Sequence, residues 1–210
     1  MWIFLVSWRI LYNFASEMAT IVSNKIKVGI VGPESTGKST LAMKLLSLAG
    51  GAVVHEFARD YVSDLDHPYT YEDVCFIAES NKMDAVLMSF YNDKPGFVFF
   101  DTELIVTKVW LDSVYGRRPE WLTEPIPEGC RMDCYLLLKP DLPWTPDAVR
   151  ENGSQEARER LFRLYEKEIK LTGRPYAVIS GQGDERLRQA WESVQQLTGV
   201  VVDTSATADI

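Results

Sequence analysis

The stretch Gly32-Pro33-Glu34-Ser35-Thr36-Gly37-Lys38-Ser39-Thr40 matches the pattern G-x-x-x-x-G-K-[ST] without a mismatch. It constrains the fold strongly, because such a loop does its work only between a buried strand and a helix. Both flanks comply. Lys25-Ile26-Lys27-Val28-Gly29-Ile30-Val31 is β-branched and apolar enough for a buried strand, and Leu41, Leu45 and Leu48 recur at helical spacing on the other side. Gly32 and Gly37 let the backbone wrap around an anion, and the N–H groups that open the helix point at it with the helix dipole behind them. In a P-loop of this kind Lys38 reaches the β- and γ-phosphates and Ser39 holds Mg²⁺.

At 210 residues the chain is long enough for one sizeable core and short for two. The net charge of -8, with no basic stripe, excludes a general nucleic-acid or anionic-membrane surface, so phosphate binding has to be local. Cys75, Cys130 and Cys134 are odd in number and lack metal-type spacing, which predicts free thiols in a reducing cytoplasm. Met1 to Phe14 is apolar and aromatic with one charge, Arg9. It is too short to span a bilayer and lacks a basic start and a small-residue cleavage site, so no stable membrane insertion is expected. The simplest account starts the protein at Met18-Ala19-Thr20, with residues 1–24 a leader, 25–202 one folded domain and 203–210 a tail. A weak interfacial anchor is the alternative for the leader.

Downstream, strands alternate with helices. Gly50-Gly51 breaks the first helix and Ala52-Val53-Val54 reads as a second strand. It ends in His55-Glu56-Phe57-Ala58-Arg59-Asp60-Tyr61, and because ligands sit at the carboxyl ends of parallel strands, Glu56 and Arg59 are placed to face the site. Thr70 starts a helix with Glu72 and Asp73 in its first turn. Phe97-Val98-Phe99-Phe100-Asp101 is a buried strand with a carboxylate at its tip, positioned to reach the Mg²⁺ held by Ser39. Ile105, Val109, Trp110, Leu111 and Tyr115 mark a helix ending at Gly116, and its Trp and Tyr are assigned to the core. Asp133 to Leu138 is the fourth strand, followed by a Pro-rich loop and a polar helix from about Ser154 to Leu171 that carries Arg158, Arg160 and Arg163. Arginines in that place suit a mobile lid over the phosphates. Tyr176 to Ser180 forms a fifth strand, a helix covers about Glu185 to Leu197, and Val200-Val201-Val202 is a short edge strand or tail. The fold class is three-layer α/β with a parallel sheet of about five strands.

The segments GPESTGKST, HEFARDYV, FFDTELIVTKVW with VYG beyond it, and LLLKPDLPWTPDAVRENG, together with the arginine-bearing helix, resemble the ribosylnicotinamide kinase module of bacterial NadR-type proteins from about Ile26 to Leu197. The helix-turn-helix and adenylyltransferase regions of the longer members have no counterpart in this sequence. The resemblance implies transfer of the ATP γ-phosphate to the 5′-hydroxyl of nicotinamide riboside, a small-molecule substrate, with ATP and Mg²⁺ as cofactors. Gly32, Glu34, Ser35, Thr36, Gly37, Lys38, Ser39 and Thr40 would hold ATP, and Ser39 with Asp101 the Mg²⁺. Arg150 and Arg158 would cover the phosphoryl group. Asp101 and Glu56 compete for the hydroxyl proton, Glu103 is a candidate for the ribose hydroxyls, and His55, Arg59 and Trp144 complete the substrate-binding set. His55 stands where nicotinamide riboside kinases are expected to carry an aromatic able to stack on the pyridine. Two alternatives stay open: a kinase of another nucleoside or a nucleoside monophosphate, and an ATP-binding switch regulating a partner such as a vitamin transporter.

Overall fold

The computed structural model describes residues 25–90, 95–123, 126, 128–145 and 153–200. Five strands, β1 (Lys25–Val31), β2 (Ala52–Val54), β3 (Gly96–Asp101), β4 (Cys134–Leu138) and β5 (Tyr176–Ile179), form one parallel sheet in the order β2-β3-β1-β4-β5. Parallel strands need crossovers, and helices supply them: α1 (Lys38–Ala49), α2 (Phe57–Ser63), α3 (Tyr71–Leu87), α4 (Leu104–Tyr115), the short α5 (Glu120–Thr123), α6 (Gln155–Thr172) and α7 (Gly183–Thr198). The expected α/β class and strand set hold. The short α5 and the 3-10 turns Met88–Phe90 and Glu128–Cys130 lack a sequence signal of their own.

Strand alternation sorts the core into two layers. Phe97, Phe99, Leu136 and Leu138 face Leu41 and Leu45 of α1 and Ala190, Trp191 and Val194 of α7. Val98, Phe100, Tyr135 and Leu137 face Val74 of α3, Ile105 and Val109 of α4, and Leu161, Tyr165 and Ile169 of α6. Both faces of the central strands are thus covered, which is why they read as apolar runs. Cys130 and Cys134 are buried, Cys75 is half-buried, and all three are free thiols as expected.

Helix ends follow their chemistry. Thr70 caps α3: its hydroxyl accepts from the Asp73 N–H at 3.2 Å while Asp73 Oδ2 accepts from the Thr70 N–H at 2.7 Å. Asp73 Oδ1 also accepts from the Tyr61 hydroxyl at 2.8 Å, tying α2 to α3. Ser154 caps α6, and Gly116 closes α4 in the left-handed region at φ 63°. After α7, Val200 is irregular chain, not strand, while residues 201–210 and the leader, residues 1–24, lie outside the described residues.

Register places the site. Ile30 pairs with Asp101 and Phe100 with Val54, so the P-loop, Asp101 and Glu56 all leave the sheet at its carboxyl edge. Because the Thr70 box joins two elements that flank that edge, Thr70→Ala is expected to cost about 1 kcal/mol of stability. Urea unfolding checks this, and the slope of the transition should not change.

Candidate active site

The P-loop adopts a conformation that its sequence permits and few others would. A Cβ on Gly32 would lie 2.9 Å from the Leu138 carbonyl oxygen of β4, so only glycine lets the loop pass the sheet edge this closely. Gly37, at φ 77°, is the N-cap of α1. Thr36 is fully buried, and its hydroxyl donates to the Pro33 carbonyl at 2.8 Å. Lys38 Nζ folds over the loop and donates to the carbonyls of Gly32 at 3.0 Å and Pro33 at 3.1 Å. Ser39 and Thr40 follow at the exposed start of the helix.

Asp101 stands beside this loop and is only 2% exposed. Burial pushes its carboxyl above the usual range, against the pull of the Ser39 hydroxyl and the Lys38 ammonium. Its Oδ1 is buried with no hydrogen-bond partner among the described residues, as is Oγ1 of Thr102, the next residue, which sits at φ 78°. A strained non-glycine backbone and orphaned oxygens at one strand tip make this a candidate functional position.

A cleft of about 210 Å³ opens from the P-loop. Gly32, Glu34 and Lys38 form one end, Glu56, Arg59 and Arg160 line its polar side, and Val62, Tyr69, Val106, Trp110, Leu161 and Tyr165 give it an apolar, aromatic wall. Glu56 Oε2 accepts from Arg59 Nε at 3.2 Å. Tyr69 and Trp110 meet edge to face with centroids 4.9 Å apart, and the Tyr115 hydroxyl donates to the Tyr69 carbonyl at 3.4 Å. Burial and the charges of Glu34 and Glu56 push the Tyr165 phenol up, keeping it a neutral donor.

The predicted residues therefore separate. Lys38, Glu56 and Arg59 meet in one cleft with Asp101 at its edge. Arg158, expected over the phosphoryl group, is turned into the protein. It is 2% exposed and its guanidinium is consumed by backbone carbonyls, so among the arginines of α6 it is Arg160 that faces the cleft. Arg150 lies outside the described residues. His55 is exposed and is not among the cleft residues, because the chain turns into α2 immediately after it. Trp110, assigned to the core, packs against it and also lines the cleft. Glu103 is buried as the N-cap of α4, where Oε1 accepts from the Ile105 N–H at 2.9 Å, and burial pushes it up to about 8. Trp144 packs its ring 3.4 Å from where a Cβ on Gly153 would lie, and its indole N–H is buried without a partner among the described residues. Tyr69, Ser113 and Tyr165 had no motif to announce them; what they share is proximity that only the fold creates.

The family model described as "AAA domain" matches residues 27–186. The chain belongs to this family. It is 27% identical over 179 residues to the trifunctional NAD biosynthesis/regulator protein NadR of Salmonella typhimurium, covering 82% of this chain and 42% of the relative. The chain thus spans less than half the length of that relative. Among solved structures, a NadR protein in complex with NR superposes with a TM-score of 0.67 at 23% identity over 85% of this chain and 53% of the other. Deoxyadenosine kinase from M. mycoides superposes with a TM-score of 0.55 at 13% identity, covering 81% of this chain and all of the other. The resemblance to NadR-type proteins holds, and the fold is that of the P-loop nucleoside and nucleotide kinases.

Since Asp101 is buried with an unsatisfied oxygen, Asp101→Asn is expected to stabilise the ligand-free protein by about 1 kcal/mol while impairing its activity. Thermal unfolding of the two proteins at neutral pH, without nucleotide or metal, tests the first half; a variant that melts below the parent contradicts it.

Proposed function

We propose that this domain transfers the γ-phosphate of ATP to the 5′-hydroxyl of nicotinamide riboside. The observation that carries the reading is the single cleft joining Lys38 of the P-loop to a carboxylate, Glu56, and an aromatic-walled cup. The cup suits a flat base, the P-loop suits a triphosphate, and Glu56 sits on the polar side where an acceptor hydroxyl would lie. The resemblance to NadR, whose name assigns it to NAD biosynthesis, supplies the identity of the nucleoside.

The acceptor oxygen forms a bond to the γ-phosphorus while the bond to the β,γ-bridging oxygen breaks, ADP leaves, and the hydroxyl proton passes to a carboxylate. Two carboxylates are near, and their surroundings divide the work. Glu56 is half-buried on the polar side of the cleft and is held in place by Arg59, so it takes the proton. Asp101, with its orphaned buried oxygen beside Ser39, fits a divalent cation. Mg²⁺, when bound there, would offset charge on the phosphates. Lys38 draws the phosphates into the loop, and Leu161, Tyr165, Val106 and Trp110 keep water away from the transferring group. Stacking on Tyr69 and Trp110 replaces the contact expected at His55.

A second reading, a nucleoside monophosphate as acceptor, draws on Arg160, which faces the same cleft. A panel of nucleosides and monophosphates assayed for ADP release, with product identification, separates the two. Nicotinamide mononucleotide formed at the highest kcat/KM in the panel supports the proposal. A monophosphate turned over at least about tenfold faster than any nucleoside replaces it with the second reading. ATP hydrolysis without transfer to any acceptor would instead mark a nucleotide-driven switch.

Variants test the roles. Lys38→Ala is expected to lower turnover at least about 100-fold, an effect far larger than the modest loss of melting temperature from leaving the Gly32 carbonyl without its donor. Glu56→Gln should lower kcat about 100-fold with the KM for ATP unchanged, whereas Asp101→Asn should raise the Mg²⁺ requirement. A Glu56→Gln enzyme with parental kcat, beside an Asp101→Asn enzyme that is dead at saturating Mg²⁺, would move the base role to Asp101.

A further inference from the structure

Each peptide unit is planar and trans, so the carbonyl of one residue and the N–H of the next point in opposite directions. A loop that aims successive N–H groups at an anion must therefore aim successive carbonyls away from it, into protein that has to satisfy them. In this chain those carbonyls meet two buried arginines. Arg158 of α6 donates from Nε to the Glu34 carbonyl at 3.2 Å and from Nη2 to the Ser35 carbonyl at 3.3 Å. Arg186 of α7 donates from Nη1 to the Thr36 carbonyl at 2.6 Å. The two side chains are 2% and 4% exposed.

Neither arginine stops at the P-loop. Arg158 also reaches the Leu142 carbonyl through Nη1 and Nη2, both at 3.0 Å, in the loop after β4. Arg186 donates to the Gly181 carbonyl at 2.7 Å and pairs with Asp141, whose other oxygen accepts from the Gly181 N–H at 2.8 Å. The loops after β1, β4 and β5 are thus fastened to one another by two guanidinium groups. We propose that Arg158 and Arg186 are positioning residues that hold the P-loop in its phosphate-receiving shape from behind, without touching phosphate. The proposal rests on the reading of this loop as a triphosphate site, and it goes beyond that reading in assigning phosphate affinity to residues outside the motif.

The geometry explains why arginine stands at both positions. A planar fork with several fixed donors spans adjacent carbonyls and a second loop at once, while an ammonium group offers a point contact. With Arg158 removed, the Glu34 and Ser35 carbonyls are left partly buried without these donors, and the cheapest relief is rotation of those peptide units. Rotation turns the N–H groups of Ser35 and Thr36 away from the anion. The loss should therefore appear as weaker phosphate binding, with the chemical step spared once ATP is saturating.

The test compares the parent with Arg158→Ala, Arg158→Lys, Arg186→Ala and Arg186→Lys. Tripolyphosphate serves as a probe that carries phosphates and no base or ribose, read by the shift in melting temperature, and it is joined by the KM for ATP and kcat at saturating ATP. We expect the parent to be stabilised by tripolyphosphate and each Ala variant to lose at least about tenfold in affinity for it and for ATP, with kcat within about threefold of the parent and Lys restoring only part of the affinity. If an Ala variant fails to fold, its Lys counterpart decides, and a Lys variant that binds tripolyphosphate like the parent overturns the proposal. Ala variants that melt lower yet bind like the parent overturn it too, since the arginines are then only structural. A drop in kcat above about 100-fold at saturating ATP, with affinity kept, would make Arg158 a group acting on the transferring phosphoryl instead. A parent that answers to neither tripolyphosphate nor ATP removes the triphosphate reading itself; a responsive parent with equally responsive variants removes only the positioning role.

Discussion

The arrangement depends on one electrostatic requirement: a backbone loop can present N–H groups to an anion only if its carbonyls are received elsewhere. Between Gly32 and Thr36 every carbonyl has a donor: Lys38 for Gly32, Lys38 and the Thr36 hydroxyl for Pro33, Arg158 for Glu34 and Ser35, and Arg186 for Thr36. Supplying those donors fixes where α6 and α7 begin, since each must bring an arginine to the carboxyl edge of the sheet. It also fixes the course of the loop after β4, which offers Asp141 and the Leu142 carbonyl as anchors for the same arginines. Ser35 adds a further tie, its hydroxyl accepting from the Thr145 N–H at 3.1 Å.

Helix α6 is consequently a beam fastened along its length. Its first turn is held to the P-loop by Arg158, its middle contributes Leu161 and Tyr165 to the cleft, and farther along Glu168 accepts from Arg118 at 2.6 Å and faces Lys108 of α4 at 3.7 Å. Glu168 is 8% exposed, so losing either cationic partner would leave a poorly compensated buried charge. Leu161 and Tyr165, two residues of the cleft wall, thus sit on a helix tied to its neighbours near both ends.

Much of the fold was legible because the parallel sheet writes itself plainly. Strands buried on both faces must be apolar runs, the P-loop consensus fixes a strand and a helix around it, and Thr70, Ser154 and Gly116 mark helix ends by local chemistry. The acid-bearing strand tips Asp101 and Glu56 were legible for the same reason, since the carboxyl edge of a parallel sheet can be located from its strands. The cleft wall was not. Tyr69, Trp110 and Tyr165 come from three separate segments and, in sequence, are indistinguishable from core aromatics; Trp110 serves both purposes. Arg158 and Arg160 differ by only two positions, yet successive helix residues diverge by about 100°, so one enters the protein and the other faces the cleft. No helical period tells which, because the choice is made by the P-loop carbonyls across from them. Arg186 carries no sequence signal, because a charged residue early in a polar helix looks solvated until Asp141, some forty-five positions earlier, is brought beside it.

The two carboxylates at the strand tips are differentiated by their surroundings alone. Asp101 ends a strand buried from Phe97 onward and shares its burial, which raises the cost of its charge and leaves one oxygen without a partner among the described residues. Glu56 follows a three-residue strand at the edge of the sheet, where there is less protein to bury it, and Arg59 one turn on supplies a countercharge. A buried carboxylate whose charge is costly gains most from a cation, while one partly open to the cleft can meet an acceptor hydroxyl; on the roles proposed for Asp101 and Glu56, that difference follows from position in the sheet, central against edge. The strain at Thr102, at φ 78°, belongs to the same economy: turning the chain sharply after β3, with the Thr102 N–H donating to the Ile30 carbonyl at 3.3 Å, keeps Asp101 at the very tip of the strand and starts α4 at once. A relaxed turn there would lengthen the tip and carry the carboxylate away from Ser39.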